Sequence, residues 1–215
     1  MVLRPQVVSA LPNIEQFLRF CQTREYKARS VILEQGQSSD CLFLILDGSV
    51  SVLVQDDDDA DHMMVVSYLN MADFFGEMGL FDDNDQERSA FVEARTHCTV
   101  AEISYERFLQ IKDRFPDILF AIARQMATRL RRTTVKLRDL AFVDVSGRIA
   151  HTLLDLSKQP DAMTHPDGMQ IKITRQELGK IAGCSREMAG RVLKALDENG
   201  LVSVSGKTIV VYGTR

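Results

Sequence analysis

With 215 residues, 45% hydrophobic and 26% charged, the chain has the mixture of a soluble globular protein and room for one large or two modest domains. It holds no apolar run near the ~18 residues of a membrane span, and its opening Met1-Val2-Leu3-Arg4-Pro5-Gln6 lacks the apolar core of a signal peptide; a cytoplasmic protein with no membrane partner is expected. A net charge of −4 speaks against a surface that is basic all over, although the charge is unevenly spread.

The first half predicts strands. Ser30-Val31-Ile32-Leu33, Leu42-Phe43-Leu44-Ile45-Leu46 and Val50-Ser51-Val52-Leu53-Val54 are short runs rich in branched residues. Gln35-Gly36-Gln37 and Asp47-Gly48-Ser49 punctuate them as turns, each with a glycine free to take positive φ. Further strands are expected at 63–68, 90–94 and 99–103, a spacing that suits a small antiparallel barrel or sandwich. Asp56-Asp57-Asp58-Asp59 reads as a solvated hairpin tip, because the glycine and distal glutamate of a calcium loop are missing. Cys21, Cys41, Cys98 and Cys184 lack metal-ligand spacing. They read as small buried hydrophobes in a reducing compartment, and no metal is expected.

Between these strands, Phe75-Gly76-Glu77-Met78-Gly79-Leu80 is followed by Gln86-Glu87-Arg88-Ser89-Ala90. The two glycines permit close backbone approach, and a free amide at a helix start opposite Arg88 suits one phosphate charge. Glu77 can accept from a sugar hydroxyl and Ser89 can donate to a phosphate oxygen. A structural Glu77–Arg88 ion pair explains half of the same signal without a ligand, so on residues alone both readings stay open.

From Pro116, a favoured first-turn residue, to about Leu140 no glycine or second proline interrupts a helix. Leu119, Ile122, Met126, Leu130, Thr133, Leu137 and Leu140 recur at steps of three or four, a stripe along a helix of roughly 37 Å. Pairing with its copy in a second subunit buries such a stripe, so a homodimer is expected; packing only across its own barrel is the bland alternative. Thr133, with Thr134 beside it, puts hydroxyls near the seam that need carbonyls or a bound group. Phe142-Val143-Asp144 reads as a hinge, Arg148 to Leu156 as the next helix, and Ala162-Met163-Thr164-His165-Pro166-Asp167-Gly168 as an exposed loop.

The rear of the chain is where a nucleic acid can be approached: residues 144–215 hold 10 basic side chains against 8 acidic, whereas residues 1–143 hold 16 against 22. Thr174-Arg175-Gln176-Glu177 is a capping box that starts a helix, with Leu178, Ile181 and Ala182 as its apolar face. Gly179 is small where a second helix passes, Gly183 permits a sharp turn, and Ser185 caps the second helix. Met188, Val192, Leu193 and Leu196 then face inward, leaving Arg186, Glu187, Gly190, Arg191 and Lys194 outward or at the helix start. Arginine grips O6 and N7 of guanine together and glutamate accepts from N4 of cytosine, so Arg186, Glu187 and Arg191 are placed to read bases and Lys194 to meet phosphate. Leu201-Val202-Ser203-Val204 and Thr208-Ile209-Val210-Val211-Tyr212 flank Ser205-Gly206-Lys207 as a hairpin wing.

These motifs, above all residues 75–81, 86–90, 100–105, 159–176 and 206–215, closely resemble the cyclic AMP receptor protein family, also called catabolite activator proteins, near its virulence factor regulators. The likeness runs over nearly the whole chain. It implies an α+β fold with a cyclic-nucleotide-binding β-roll over 1–115, a dimerisation helix over 116–141, a hinge over 142–144 and a winged helix-turn-helix DNA-binding domain over 145–215. It implies cyclic AMP as allosteric ligand, with Gly76, Glu77, Arg88 and Ser89 at ribose and cyclic phosphate. Arg129 and Thr133 fall near the purine, and Thr134, a serine in the best-known member, reaches the partner's adenine. Thr174, Gln176, Ser185, Arg186, Glu187, Gly190, Arg191 and Lys194 form the expected interface with double-stranded DNA, read at a TGTGA-like half-site. Ala162, Met163, Thr164, His165 and Gly168 fall in the surface loop expected to touch RNA polymerase. A second polymerase patch is only partly kept, since Gln22 and Arg24 replace histidines and Arg107 a lysine. Rival readings are the same fold answering cyclic di-GMP, which the single-phosphate Arg88-Ser89 pair disfavours, and a nucleotide-binding signalling subunit that never touches DNA. A phosphodiesterase is disfavoured because no His/Asp cluster suits catalytic metals.

Overall fold

The run Leu42–Leu46 shows no polar alternation because strand β3 (Cys41–Asp47) is buried on both faces. Leu42, Leu44 and Leu46 join an apolar cluster formed with helices, whereas Phe43 and Ile45 join a second cluster with Leu33, Val50, Leu69, Val92 and Val100. The computed structural model describes residue 11 and residues 13–38, 40–55, 63–82 and 87–214. The opening hexapeptide, the four-aspartate tip and Gln86 lie outside the described residues.

The chain divides into two units, Met1–Arg132 and Thr133–Arg215. In the first, α1 (Ile14–Leu18) precedes β1 (Gln22–Tyr26), β2 (Val31–Leu33), β3, β4 (Ser49–Gln55), β5 (Met63–Asn70) and β6 (Phe74–Phe75). A one-turn helix α2 (Met78–Phe81), β7 (Phe91–Ala94), β8 (Cys98–Ser104) and α3 (Tyr105–Ile111) follow. Two antiparallel sheets result, in the orders β1-β8-β3-β6 and β2-β7-β4-β5. Strand β1 was invisible to apolar patterning: its residues, Gln-Thr-Arg-Glu-Tyr, are mostly exposed at a sheet edge, where polar side chains guard against stray pairing. Phe17 is the hub of the helical side of the core, meeting Phe74, Phe108 and Phe115 edge-on.

The long helix α4 (Pro116–Phe142) begins in the first unit and ends in the second. Its expected stripe splits in character. Ile122 is buried in the first unit's core with Leu119 and Met126 packed against it, while Leu130 and Leu137 are 71% and 67% exposed; Ile118 and Ala121, outside the expected stripe, are buried as well. The second unit continues with α5 (Val145–Leu156), β9 (Met163–His165), β10 (Gly168–Lys172), α6 (Arg175–Ala182), α7 (Arg186–Glu198), β11 (Val202–Ser205) and β12 (Thr208–Tyr212). Its strands form one sheet in the order β11-β12-β10-β9.

Two readings of this unit change. Helix α5 starts three residues before Arg148, because Asp144 Oδ1 accepts from the Gly147 amide at 2.8 Å and caps it. The segment read as an exposed loop is a hairpin: Met163–His165 pairs with β10 across Pro166-Asp167. Gly168 there is buried, and a Cβ on it would stand 2.0 Å from the Val211 carbonyl oxygen, so only glycine lets β10 approach β12. His165 is half-buried, accepting from the Asp167 amide at 3.3 Å, rather than freely exposed. Among the described residues no helix is long and apolar enough to cross a membrane.

Candidate nucleotide cradle and nucleic-acid interface

The expected anion-binding residues gather at the end of β6. Gly76 takes φ +73, and a Cβ there would lie 2.7 Å from Arg88 Nη1 and 3.0 Å from the Cys41 carbonyl. Both its backbone and its lack of a side chain are therefore used. Arg88, only 6% exposed, donates to the carbonyls of Gly76 and Cys41 at 3.0 Å each and to the Tyr105 hydroxyl at 3.2 Å. Its guanidinium also lies over the Phe43 and Tyr105 rings at 5.6 and 5.9 Å. Asp40, the carboxylate paired with it, is an exposed group 3.8 Å away. A buried guanidinium held mainly by neutral acceptors keeps its positive charge available to an anion.

The Glu77–Arg88 pair considered from sequence is not what forms. Glu77, 7% exposed, pairs instead with Arg129 Nη1 of α4 at 2.9 Å. Arg129 also donates to the Phe74 carbonyl and, at 3.3 Å, to Gln125. Gln125, unremarked in the sequence, accepts from the Phe74 amide at 2.8 Å and donates to the Ala72 carbonyl at 2.9 Å. It sits two helical turns from Ile118, and only the fold shows that it fastens α4 to the 72–74 turn. Ser89 is exposed, with Oγ 3.1 Å from Met78 Sδ. Thr133 and Thr134 belong to the second unit and lie exposed on α4.

Burial holds the thiols protonated: Cys21 and Cys41 are each pushed up to about 12, in Cys41 with help from Asp40. Among the described residues no three His, Cys, Asp or Glu side chains come together as a metal site.

In the second unit both helix starts of the reading motif are capped by side chains. Thr174 accepts from the Glu177 amide at 3.1 Å and Ser185 from the Met188 amide at 3.2 Å. Between them Gly183 takes φ 65, ψ 53, and the Cys184 amide returns to the Gly179 carbonyl at 3.0 Å. A Cβ on Gly179 would meet the Cys184 carbonyl oxygen at 2.6 Å, so its smallness serves the turn itself. Ala189, omitted from the expected inner face, is fully buried beside Val192 and Leu193.

Gln176, Ser185, Arg186, Glu187, Arg191 and Lys194 are exposed, and Thr174 is half-buried as a cap. Lys194 pairs loosely with Glu198 at 3.6 Å, an exposed contact of little worth that phosphate can replace. Gly190 departs from the expected outward set: it is half-buried, and Arg175 Cδ lies 3.4 Å from where its Cβ would be. Arg148 was also missed. It donates to the carbonyls of Ala182 at 2.8 Å, Gly183 at 3.1 Å and Val143 at 3.0 Å, stapling α5 to the turn between the reading helices. In the hairpin 162–168, Ala162 is half-buried and Met163 and Thr164 are exposed.

Two family models match this chain. The cyclic nucleotide-binding domain covers residues 23–115 and the Crp-like helix-turn-helix domain residues 147–212. Together they define a transcription regulator with a nucleotide-binding domain and a helix-turn-helix DNA-binding domain, and not an enzyme. The chain belongs to the Crp family. It is 56% identical over 207 residues to the cAMP-activated global transcriptional regulator Vfr of Pseudomonas aeruginosa, covering 95% of this chain and 96% of that protein. It is likewise 56% identical over 204 residues to the cAMP-activated global transcriptional regulator CRP of Salmonella typhimurium, covering 95% and 96%. Among solved structures, the c-di-GMP-responsive global regulator CLP of Xanthomonas campestris superposes with a TM-score of 0.88 at 45% identity, covering 94% of this chain and 99% of that one.

Proposed function

We propose that this chain is a cyclic-AMP-dependent global transcription regulator of the cytoplasm that binds a TGTGA-type palindrome as a homodimer and contacts RNA polymerase. The observation that carries this reading is the 56% identity, spread over 95% of the chain, to two regulators named as cAMP-activated. Arg88 supplies a fixed positive charge for the cyclic phosphate, Ser89 a hydroxyl donor, and the Gly76-Glu77 turn a close backbone with a carboxylate acceptor for ribose. Arg129 and Thr133, with Thr134 of the partner subunit, meet the purine. The exposed leucines of α4 pair with their copies, residues 142–144 act as the hinge, and the two reading heads address major grooves ~34 Å apart. The nucleotide shifts the dimer toward its DNA-binding state only by binding that state more tightly. The hairpin 162–168, which exposes Met163, Thr164, Pro166 and Asp167, is the polymerase contact.

A second reading keeps the fold and replaces the ligand by cyclic di-GMP, favoured by the 45% identity to a c-di-GMP-responsive regulator. Isothermal calorimetry with each nucleotide separates the two. Cyclic AMP binding that is weakened at least about tenfold in Arg88→Lys supports the first reading, and heat with cyclic di-GMP alone overturns it.

A further inference from the structure

One ion pair crosses the joint between α4 and α5, and none of the roles above uses it. His151 Nδ1, on the second turn of α5, lies 2.9 Å from Asp139 Oδ2 on the last turn of α4. The other carboxylate oxygen, Oδ1, accepts from Arg138 Nε and Nη2 at 3.1 and 2.7 Å. Each carboxylate oxygen thus has its own donor, and Asp139 is largely covered while His151 is half-exposed. We infer that His151 and Asp139 are a positioning pair that holds the DNA-binding module at a set angle on the end of α4.

The residues between them show why a pair at this place matters. Val143 and Asp144 are the only two non-helical residues separating α4 from α5. On the module side the joint is already tied: Asp144 caps α5, and Arg148 bonds Val143, Ala182 and Gly183 together. Once α5 and the reading head move as one body, the remaining freedom is the swing of that body about 143–144. The Asp139–His151 contact, twelve residues apart in sequence, spans that swing. A carboxylate only accepts, so Nδ1 carries the proton. The bond exists with a neutral ring and is strengthened when the ring is protonated. Charged groups within one helical turn of the pair include Arg138 and Lys136 on α4, the latter lowered to about 8 by burial, and Arg148 and Asp155 on α5. Arg148 is committed to three carbonyls, and Asp155 faces Lys158 at 3.9 Å. The hydrogen bonds from Arg138 and His151 hold the Asp139 carboxyl below the usual carboxylate range, in keeping with an ionised acceptor throughout the working pH.

A pre-set angle reduces the freedom lost when two heads engage two half-sites. His151→Ala is therefore expected to weaken DNA binding about two- to fivefold, the range of an exposed ion pair, with cyclic-nucleotide binding unchanged by calorimetry. Asp139→Asn combined with His151→Gln keeps an uncharged hydrogen bond across the joint and restores affinity. Backbone amide exchange at 144–148 speeds up in His151→Ala, and this readout needs neither DNA nor nucleotide. Faster exchange with no DNA binding by any form would indict the DNA-binding reading on which the affinity arm rests, not the pair. Wild-type exchange rates and affinity in His151→Ala, or a loss that the double variant does not restore, overturn the inference.

Discussion

Arg88 is the residue on which the proposed nucleotide binding and the fold meet. Its guanidinium bridges two backbone carbonyls and a tyrosine hydroxyl inside the first unit, so Arg88→Ala strands buried acceptors and is expected to cost about 3 kcal/mol of stability. Arg88→Lys keeps the charge without the fork. It should fold, and bind cyclic AMP at least about tenfold more weakly by calorimetry. Asp73 offers a pH test at the same scale. Burial raises its carboxyl above the usual value, opposed by the Asn70 amide and by Arg129 and Arg132. A folded-state value above the unfolded one means the folded protein holds the proton more tightly. Asp73 therefore contributes stability at pH below its unfolded range and loses that contribution as pH rises through the folded value. At neutral pH Asp73→Asn should raise the melting temperature, and the gain should vanish toward pH 4; a lowered melting temperature at pH 7 would contradict this. The types and spacing of Gly76, Glu77, Arg88 and Ser89 were legible in the sequence. The Glu77–Arg129 pair was not, because it joins positions 52 residues apart and no local pattern encodes it.

The winged motif shows how much a single element can reveal in advance. Thr174, Ser185 and Gly183 were readable because caps and positive-φ turns use few residue types, and each does in the structure what its type suggests. Gly183→Ala should cost about 1–2 kcal/mol from its left-handed backbone, and Ser185→Ala about 1 kcal/mol from the lost cap, both read from urea midpoints. Gly179→Ala forces a Cβ onto the Cys184 carbonyl and is expected to cost about 1–3 kcal/mol. Other elements left no such signature. β1 is polar because it is an edge strand, and β9 is three residues long, so neither carries enough alternation to be seen. Arg148 gave no signal either, since its acceptors are carbonyls supplied by a different helix end.

At the scale of the whole molecule, a single chain joins a nucleotide-binding domain to a DNA-binding domain by one continuous helix whose far half leaves Leu130 and Leu137 uncovered. If those leucines are the dimer seam, Leu130→Asp with Leu137→Asp should halve the mass seen by analytical ultracentrifugation while the first unit's melting transition persists. Base reading and phosphate contact should also separate. Arg186→Ala is expected to relax discrimination at one base pair by about 1–3 kcal/mol, whereas Lys194→Ala should weaken all sequences alike and lower the salt slope by about one. The most direct test of the whole account is the affinity for a TGTGA-type palindrome, titrated with cyclic AMP at one stated salt concentration. The account predicts tight binding that rises about five- to 150-fold on cyclic AMP addition and is lost when the half-site is scrambled. Affinity that is unchanged across the titration, or equal for the scrambled site, would contradict it.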